Sequence, residues 1–337
     1  MDGVRFCLVG AGRAGMVHAR NIAFTIKNAD LTAIVDSNQD VVQARGEELG
    51  VSALFTSIDD ALKEDCFDAV IVVTPTFTHQ DIVVRCAEAK KHIFCEKPMA
   101  IFLHEAQEMN RATQRAAVKL QIGFMRRFDP TFIHAKKIIE RGELGEPMII
   151  KSVGRGPGLP PPWTYNVKDS NGLLGEVNSH DFDSTRWLAG AEYERVFAEA
   201  SNRKTQDLLQ EYPDFYDNVV CTVRFKNGVI GTIDGTCPAD YGYDARTEIV
   251  LTGGLISIGE TRATAFFSCD KNGVIQQSAH RSWRNRFEIA YLDEMKSFIR
   301  SILDDKTPLV TGEDGQAAVA AVVAANRSIR EGVPVKI

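Results

Sequence analysis

Several features that would fix a class of protein are missing from this 337-residue chain. No run of about 18 apolar residues lacks a charge, so no membrane-spanning helix is expected. There is no basic excess. Lys and Arg number 39 against 45 Asp and Glu, a net charge of −6, which argues against a non-specific nucleic-acid binder. No two cysteines form a C-x-x-C pair. The seven (Cys7, Cys66, Cys86, Cys95, Cys221, Cys237 and Cys269) are odd in number, and several lie in apolar runs such as Phe6-Cys7-Leu8-Val9. They read as buried reduced thiols behaving as small hydrophobes rather than as a disulfide framework. The N-terminus shows no charged-then-apolar signal segment, and the chain has no internal repeat or low-complexity tract. A soluble cytoplasmic protein, with no membrane or nucleic-acid partner, is the expectation.

What is present is globular. Hydrophobic residues make up 44% and charged residues 25%, and the length suggests two domains at about 100–200 residues each. The first half alternates short apolar runs with helical patterns. Runs at 4–9, 31–35, 53–55, 68–73, 92–95 and 119–124 are separated by helices near 14–26, 40–49, 58–62, 79–89 and 103–116. This is the pattern of βαβ units in a parallel sheet. The second half has helices near 131–141 and 172–188, then longer alternating strands from 149 to 268, and helices again at 286–303 and 315–330. Asn227-Gly228 signals a type I′ hairpin between two of these strands. The Pro157–Pro162 stretch is a stiff loop. The fold class predicted is α/β: an N-terminal Rossmann parallel sheet plus a C-terminal α+β domain with a large open mixed or antiparallel sheet. The boundary falls near Gly123, giving a dinucleotide domain over 1–123 and a substrate-binding and oligomerisation domain over 124–337.

Gly10-Ala11-Gly12-Arg13-Ala14-Gly15 matches G-x-G-x-x-G directly after a strand and at the opening of a helix, the context that gives the motif its meaning. Gly10 permits the tight turn, Gly12 lets backbone approach a pyrophosphate, and Gly15 lets helix pack on strand. The helix N-terminus offers free N–H groups to phosphates. Asp36 closes the second strand 21 residues after Gly15. A carboxylate there bonds ribose hydroxyls and repels a 2′-phosphate, and Ser37-Asn38-Gln39-Asp40 supplies no cation. NAD is therefore favoured over NADP as the cofactor. Cys95-Glu96-Lys97-Pro98 follows a strand, and open parallel sheets bind ligands outside the carboxyl ends of their strands. Alone, Lys97 is an ordinary solvated loop lysine.

These segments, with Thr74-Pro75 and His79, Gln121 through Phe128, Gly172 through Asp183, Tyr241-Gly242-Tyr243-Asp244 and Thr311 through Gly315, resemble the Gfo/Idh/MocA oxidoreductases over nearly the whole chain. Within that family the Gly123–Phe128 stretch and the Tyr-Gly-Tyr-Asp segment are most similar to inositol 2-dehydrogenases. The resemblance implies NAD-dependent oxidation of a secondary hydroxyl on a cyclitol or sugar, with hydride transfer to C4 of the nicotinamide and Lys97 as proton acceptor. The family's common histidine maps to His180. Its usual aspartate is replaced by Glu176, and the first glycine of its Gly-Gly pair by Asn171. Glu176 and His180 stand four apart on one helical face, so the carboxylate can orient the imidazole and raise its basicity. Glu176, His180 and Asp183 could also ligate zinc, but nicotinamide chemistry with a lysine base needs no metal, and none is expected. The catalytic residues expected are Lys97, His180 and Glu176. Cofactor binders are Gly10, Gly12, Arg13, Ala14, Gly15, Asp36, Ser37, Thr74, Pro75, His79, Glu96 and Lys97. Substrate binders are Lys97, Arg127, Asn166, Glu176, His180, Asp183 and Tyr243, with the Trp163–Asn166 loop offering rings to stack on a sugar. Rival readings are a glycosidase that oxidises its sugar transiently and a non-catalytic NAD-linked sensor; release of NADH separates all three. Apolar positions on both faces of 219–223 point to a homo-oligomer, a dimer or tetramer through the open sheet.

Overall fold

The computed structural model describes residues 3–337. Six strands form a wholly parallel sheet: β1 (Val4–Val9), β2 (Ala29–Val35), β3 (Ala53–Phe55), β4 (Ala69–Val72), β5 (His92–Cys95) and β6 (Leu120–Ile122), in the order β3-β2-β1-β4-β5-β6. Helices α1 (Gly15–Phe24), α2 (Gln39–Leu49), α3 (Ile58–Glu64), α4 (His79–Glu88) and α5 (Leu103–Ala116) connect them. β4 is wholly apolar and buried, and so is β1 apart from the exposed Arg5 near its start, as expected of strands covered on both faces. The order reverses between β1 and β4, and such a switch point opens a crevice at the carboxyl ends of the strands.

The remaining chain runs α6 (Pro130–Glu140), β7 (Pro147–Arg155), the short α7 (Val167–Ser170), a π-helical turn (Leu174–Asn178), α8 (Ser179–Ala189), β8 (Tyr193–Ser201), β9 (Asn218–Phe225), β10 (Ile230–Thr236), β11 (Asp244–Leu251), β12 (Gly254–Ile258), β13 (Arg262–Cys269) and β14 (Ile275–Ala279). It ends with α9 (Trp283–Arg286), α10 (Glu288–Leu303), α11 (Gly312–Glu331) and β15 (Val335–Lys336). Seven of these strands make one mixed sheet, β12-β11-β7-β10-β9-β8-β15, with β7 and β10 parallel and the other pairs antiparallel. β13 and β14 form a separate exposed ribbon. The expected pairing of a parallel sheet with a large mixed sheet is what the chain adopts.

Four details differ from the sequence reading. The chain divides into two compact units, one of residues 1–128 with 289–316 and the other of 129–288 with 317–337. The return of 289–316 to the first unit follows from α10, whose Met295, Phe298 and Ile299 join Phe6, Leu8, Ile71 and Phe94 in one buried cluster. Second, the Asn227-Gly228 hairpin is not type I′, which needs positive φ at both central residues. Only Gly228 has it (φ 91°), and Gly228 N–H donates to Phe225 O at 3.0 Å, so the loop is a type I turn closed by a left-handed glycine. Third, β12 and β14 were not anticipated, being short runs beside turn residues. Fourth, of the seven cysteines, all free, Cys66 is half-buried and Cys269 exposed on β13.

Candidate active site

In the first unit the glycine turn is dictated by close approach. Gly10 has φ 97°, and a Cβ there would lie 2.5 Å from Val73 O. One on Gly15 would lie 2.0 Å from Gly10 O. Gly12 by contrast is exposed and faces open space, with nothing within 4 Å of a Cβ. α1 starts without a side-chain cap and without an acidic residue in its first turn, so its leading N–H groups have no competing anion. Arg13 is exposed and Ala14 half-buried beside them. Asp36 accepts the Ala11 N–H at 2.8 Å on Oδ2 and the Asn38 N–H at 3.0 Å on Oδ1. Its carboxylate thus braces the glycine turn and keeps lone pairs for further donors, while Ser37 next to it is exposed. An uncapped helix end, a bare glycine and a carboxylate at the end of β2 together fit a dinucleotide with an unphosphorylated ribose.

The loops after β4 and β5 carry Thr74-Pro75 and Glu96-Lys97-Pro98. His79 is buried, with Nδ1 3.0 Å from Pro98 O and Nε2 2.9 Å from Thr74 O. Burial holds its pKa below the usual value, although the two carbonyls work the other way. The structure therefore places His79 as a brace between the two loops. Lys97 is half-buried, follows the buried Glu96 and is joined to Pro98 by a cis peptide bond. Its backbone N–H donates to Glu96 Oε2 at 3.0 Å. Arg127 is buried in an ion pair with Asp314, N–O 3.0 Å. Asp314 Oδ2 also accepts the Thr311 N–H at 2.9 Å. The family-like Thr311–Gly315 stretch is thus a folded counterpart for Arg127, a partnership that a separation of 187 residues hides from any local pattern.

In the second unit Asn171 ends α7 with φ 61°. Asn326 Nδ2 donates to Asn171 O at 3.2 Å, and Tyr216 OH donates to Asn326 Oδ1 at 2.8 Å. Asparagine tolerates this left-handed cap, which explains how it can stand where the family has glycine. The continuous helix expected over 172–188 is instead a π turn that passes into α8. Gly175 in the turn packs so closely that a Cβ would lie 2.5 Å from Ser170 O. Such turns recur at functional sites.

Glu176 lies on the π turn, half-buried, while His180 and Asp183 are buried on the first turns of α8. Two residues missed in the sequence lock this segment to the sheet. Asp181 Oδ1 accepts Ser152 Oγ at 2.6 Å, and Asn178 Nδ2 donates to Asp181 Oδ2 at 3.0 Å and to Asp234 O at 3.3 Å. The sheet makes room with Gly154 and Gly235, which pair across β7 and β10. A Cβ on Gly154 would lie 2.1 Å from Asp181 Oδ2, and one on Gly235 2.0 Å from Asn178 Oδ1. The signal for this lay in glycines inside strand patterns, which mark close approach.

Tyr243 is buried edge-on to Phe287, ring centroids 6.2 Å apart. Beside it, Tyr241 OH donates to Asp244 Oδ2 at 2.7 Å, and Arg246 Nε donates to Asp244 Oδ1 at 2.7 Å. Burial works to raise the Asp244 pKa, but bonds from Arg246 and Tyr241 outweigh it and hold the group below its ordinary value. Asn166 is exposed and caps α7, accepting Lys168 N–H at 3.2 Å and donating to Asp169. Tyr165 packs against Phe215 (5.1 Å) and Tyr212 (5.7 Å), so this loop is held by its own aromatic contacts.

Comparison with known proteins agrees with these features. Residues 4–124 match the oxidoreductase family with an NAD-binding Rossmann fold, and residues 132–257 match the GFO/IDH/MocA C-terminal domain. The chain is 35% identical over 334 residues to myo-inositol 2-dehydrogenase of Thermotoga maritima, covering 99% of this chain and 98% of that one. It is 32% identical to scyllo-inositol 2-dehydrogenase (NAD(+)) of Bacillus subtilis, covering 99% and 96%. Among solved structures, scyllo-inositol dehydrogenase of Lactobacillus casei with bound NAD(H) and scyllo-inositol superposes with a TM-score of 0.91 at 27% identity, covering 99% of each chain. On its two matched domains and its full-length relatives, the chain belongs to the Gfo/Idh/MocA family of NAD-dependent oxidoreductases.

Proposed function

We propose that this protein oxidises a secondary hydroxyl of a cyclitol, with inositol as the leading substrate class, or of a closely related sugar ring. The observation that carries the reading is the lysine after β5, held at its backbone by Glu96, in a chain whose full-length relatives are named inositol 2-dehydrogenases. The glycine turn from Gly10 to Gly15, the first turn of α1 and Asp36 hold NAD⁺, with Ser37, Thr74 and Pro75 beside them. When bound, NAD⁺ supplies the two-electron acceptor that takes the carbinol hydride at nicotinamide C4. Lys97 takes the hydroxyl proton as the carbonyl forms. A lysine does this near neutral pH only where its charged form is disfavoured by burial or a neighbouring cation. His180 shares the proton work, oriented by Glu176, and Asp183, Arg127, Tyr243 and Asn166 are assigned to substrate hydroxyls. The buried or half-buried state of all of these but Asn166 supports that assignment.

The test is a screen of cyclitols, aldoses and glycosides with NAD⁺. The expected result is one NADH per ketone formed, with an inositol as the best substrate. Product without NADH would favour the transient-oxidation glycosidase, and neither would favour a sensor. Lys97→Ala should retain NAD binding and lower kcat by roughly 10²–10⁴-fold, the usual contribution of a positioned base; near-normal turnover would remove Lys97 from the role.

The assembly is proposed on the mixed sheet. Its register puts Val220, Ile230, Ile149, Val250 and Leu255 on one face, of which Val220, Ile230 and Leu255 are exposed. We assign this face to a homo-oligomeric contact, a dimer or a tetramer. A monomer by light scattering at micromolar concentration would refute it. No helix among the described residues is long and apolar enough to cross a membrane, and the free cysteines support a cytoplasmic location.

A further inference from the structure

Behind Lys97 lies a polar cluster in the core of the first unit, of which the proposed chemistry uses only Glu96. Glu96 is buried, and Gly123 leaves space for it: a Cβ at 123 would lie 3.0 Å from Glu96 Cδ. Its Oε2 accepts the Lys97 backbone N–H, and its Oε1 lies 2.8 Å from Nε2 of His18 on α1. Glu294 on α10 is completely buried. One ligating atom from each of His18, Glu96 and Glu294 falls within 4.8 Å of the others. Neither carboxyl oxygen of Glu294 has a hydrogen-bond partner among the described residues, nor does Nδ1 of His18. The walls are apolar and aromatic. The Phe94 ring is 4.9 Å and the Tyr291 ring 5.6 Å from the His18 ring, with Met295 and Phe298 buried on α10.

Two ionised carboxylates cannot share such a pocket without a compensating cation or proton. A tetrahedral metal ion is disfavoured by geometry. His18 Nε2 and Glu96 Oε1 are hydrogen-bonded to each other at 2.8 Å, whereas two ligands of a tetrahedral ion with bonds of about 2.0–2.1 Å stand about 3.3 Å apart. A proton needs no such separation. We propose that His18, Glu96 and Glu294 form a positioning cluster for Lys97, in which Glu294 is held as the neutral acid and the single carboxylate charge stays on Glu96. The titratable groups facing Glu294 are His18 from α1 and Glu96 from the end of β5, with Tyr291 of α10 against His18. From β6 comes neutral Gln121, whose amide donates to Glu294 O at 3.0 Å. Burial first, then the Glu96 charge, push Glu294 well above the usual carboxyl range. Were Glu294 to ionise, its charge would compete for the His18 proton and pull Glu96 from the Lys97 N–H.

The inference rests on Lys97 as proton acceptor, and its readouts separate the two. Infrared difference spectra of the intact enzyme at pH 8, parent minus Glu294→Gln, should show the carbonyl stretch of an un-ionised carboxyl group. Glutamate labelled with ¹³C in the parent should shift that band, which keeps the measurement open if the variant does not fold. Glu294→Gln, neutral like the acid it replaces, should lower kcat clearly less than Glu96→Gln does. Glu96→Gln, which loses the charge, should lower kcat by roughly 10–100-fold, the usual effect of misplacing a reacting group, with a smaller change in KM for NAD. An infrared spectrum with no un-ionised carboxyl, a stoichiometric metal in the purified enzyme, or a Glu294→Gln kcat as low as that of Glu96→Gln would each overturn the proposal. Normal turnover in Lys97→Ala would instead remove the base assignment and leave the infrared band standing.

Discussion

Asp36 links two jobs at one side chain. It braces the glycine turn through the Ala11 N–H and, on the proposed reading, receives ribose hydroxyls. Losing a charge-assisted bond costs about 1.5–3 kcal/mol. Asp36→Ala should therefore raise KM for NAD by roughly 10–100-fold and bring the NAD and NADP efficiencies closer together, since the charge that repels a 2′-phosphate is gone. Steady-state rates with both cofactors check this, and an unchanged ratio would take cofactor choice away from Asp36. This residue was legible because its meaning depends on distance along the chain from a glycine motif. His79 was legible as a family position but not as a brace, since only the fold shows the carbonyls of Thr74 and Pro98 at its two ring nitrogens. The spacing of the family motif shows Asn171 only as a departure from glycine; the fold shows it as a left-handed helix cap, a position asparagine tolerates.

At the scale of elements, the segment from Leu174 to Asp183 shows where periodicity stops being informative. Its apolar and polar spacing reads as one helix. The π turn arises because Gly175 can press against Ser170 O and because Asn178 and Asp181 reach into the gap over Gly154 and Gly235. Nothing in a helical pattern announces what lies on the facing sheet. Gly154→Ala should test the link between this packing and the neighbouring His180. The new methyl group collides with Asp181 Oδ2, an overpacking cost of about 1–3 kcal/mol, and the displaced start of α8 should lower kcat. NAD binding, carried by the first unit, should be unaffected. A cofactor titration beside thermal melting and kinetics separates these, and an unaltered kcat in a destabilised variant would show that the glycine window serves stability alone.

For the molecule as a whole, chain order proved a poor guide to which unit an element joins. The helix over 288–303 was readable, and so was its apolar face. That Phe298 packs on Phe6 and Phe94 at ring separations of 6.2 and 6.0 Å was not, because one apolar stripe suits either sheet. The same return places Glu294 in the core of the first unit, with a consequence for stability against pH. Below the ordinary carboxyl range Glu294 is neutral in both folded and unfolded chains. As pH rises through that range the unfolded chain loses the proton and the folded one, held high by burial and by Glu96, does not. The folded state then binds more protons, and stability falls with rising pH, by at most about 1.4 kcal/mol per unit for one proton, until the folded group itself ionises. Glu294→Gln removes that slope. The melting temperature of the variant minus that of the parent should therefore increase steadily from pH 5 upward. A difference constant with pH would mean that the folded and unfolded carboxyls titrate alike, and that the core tolerates the second charge.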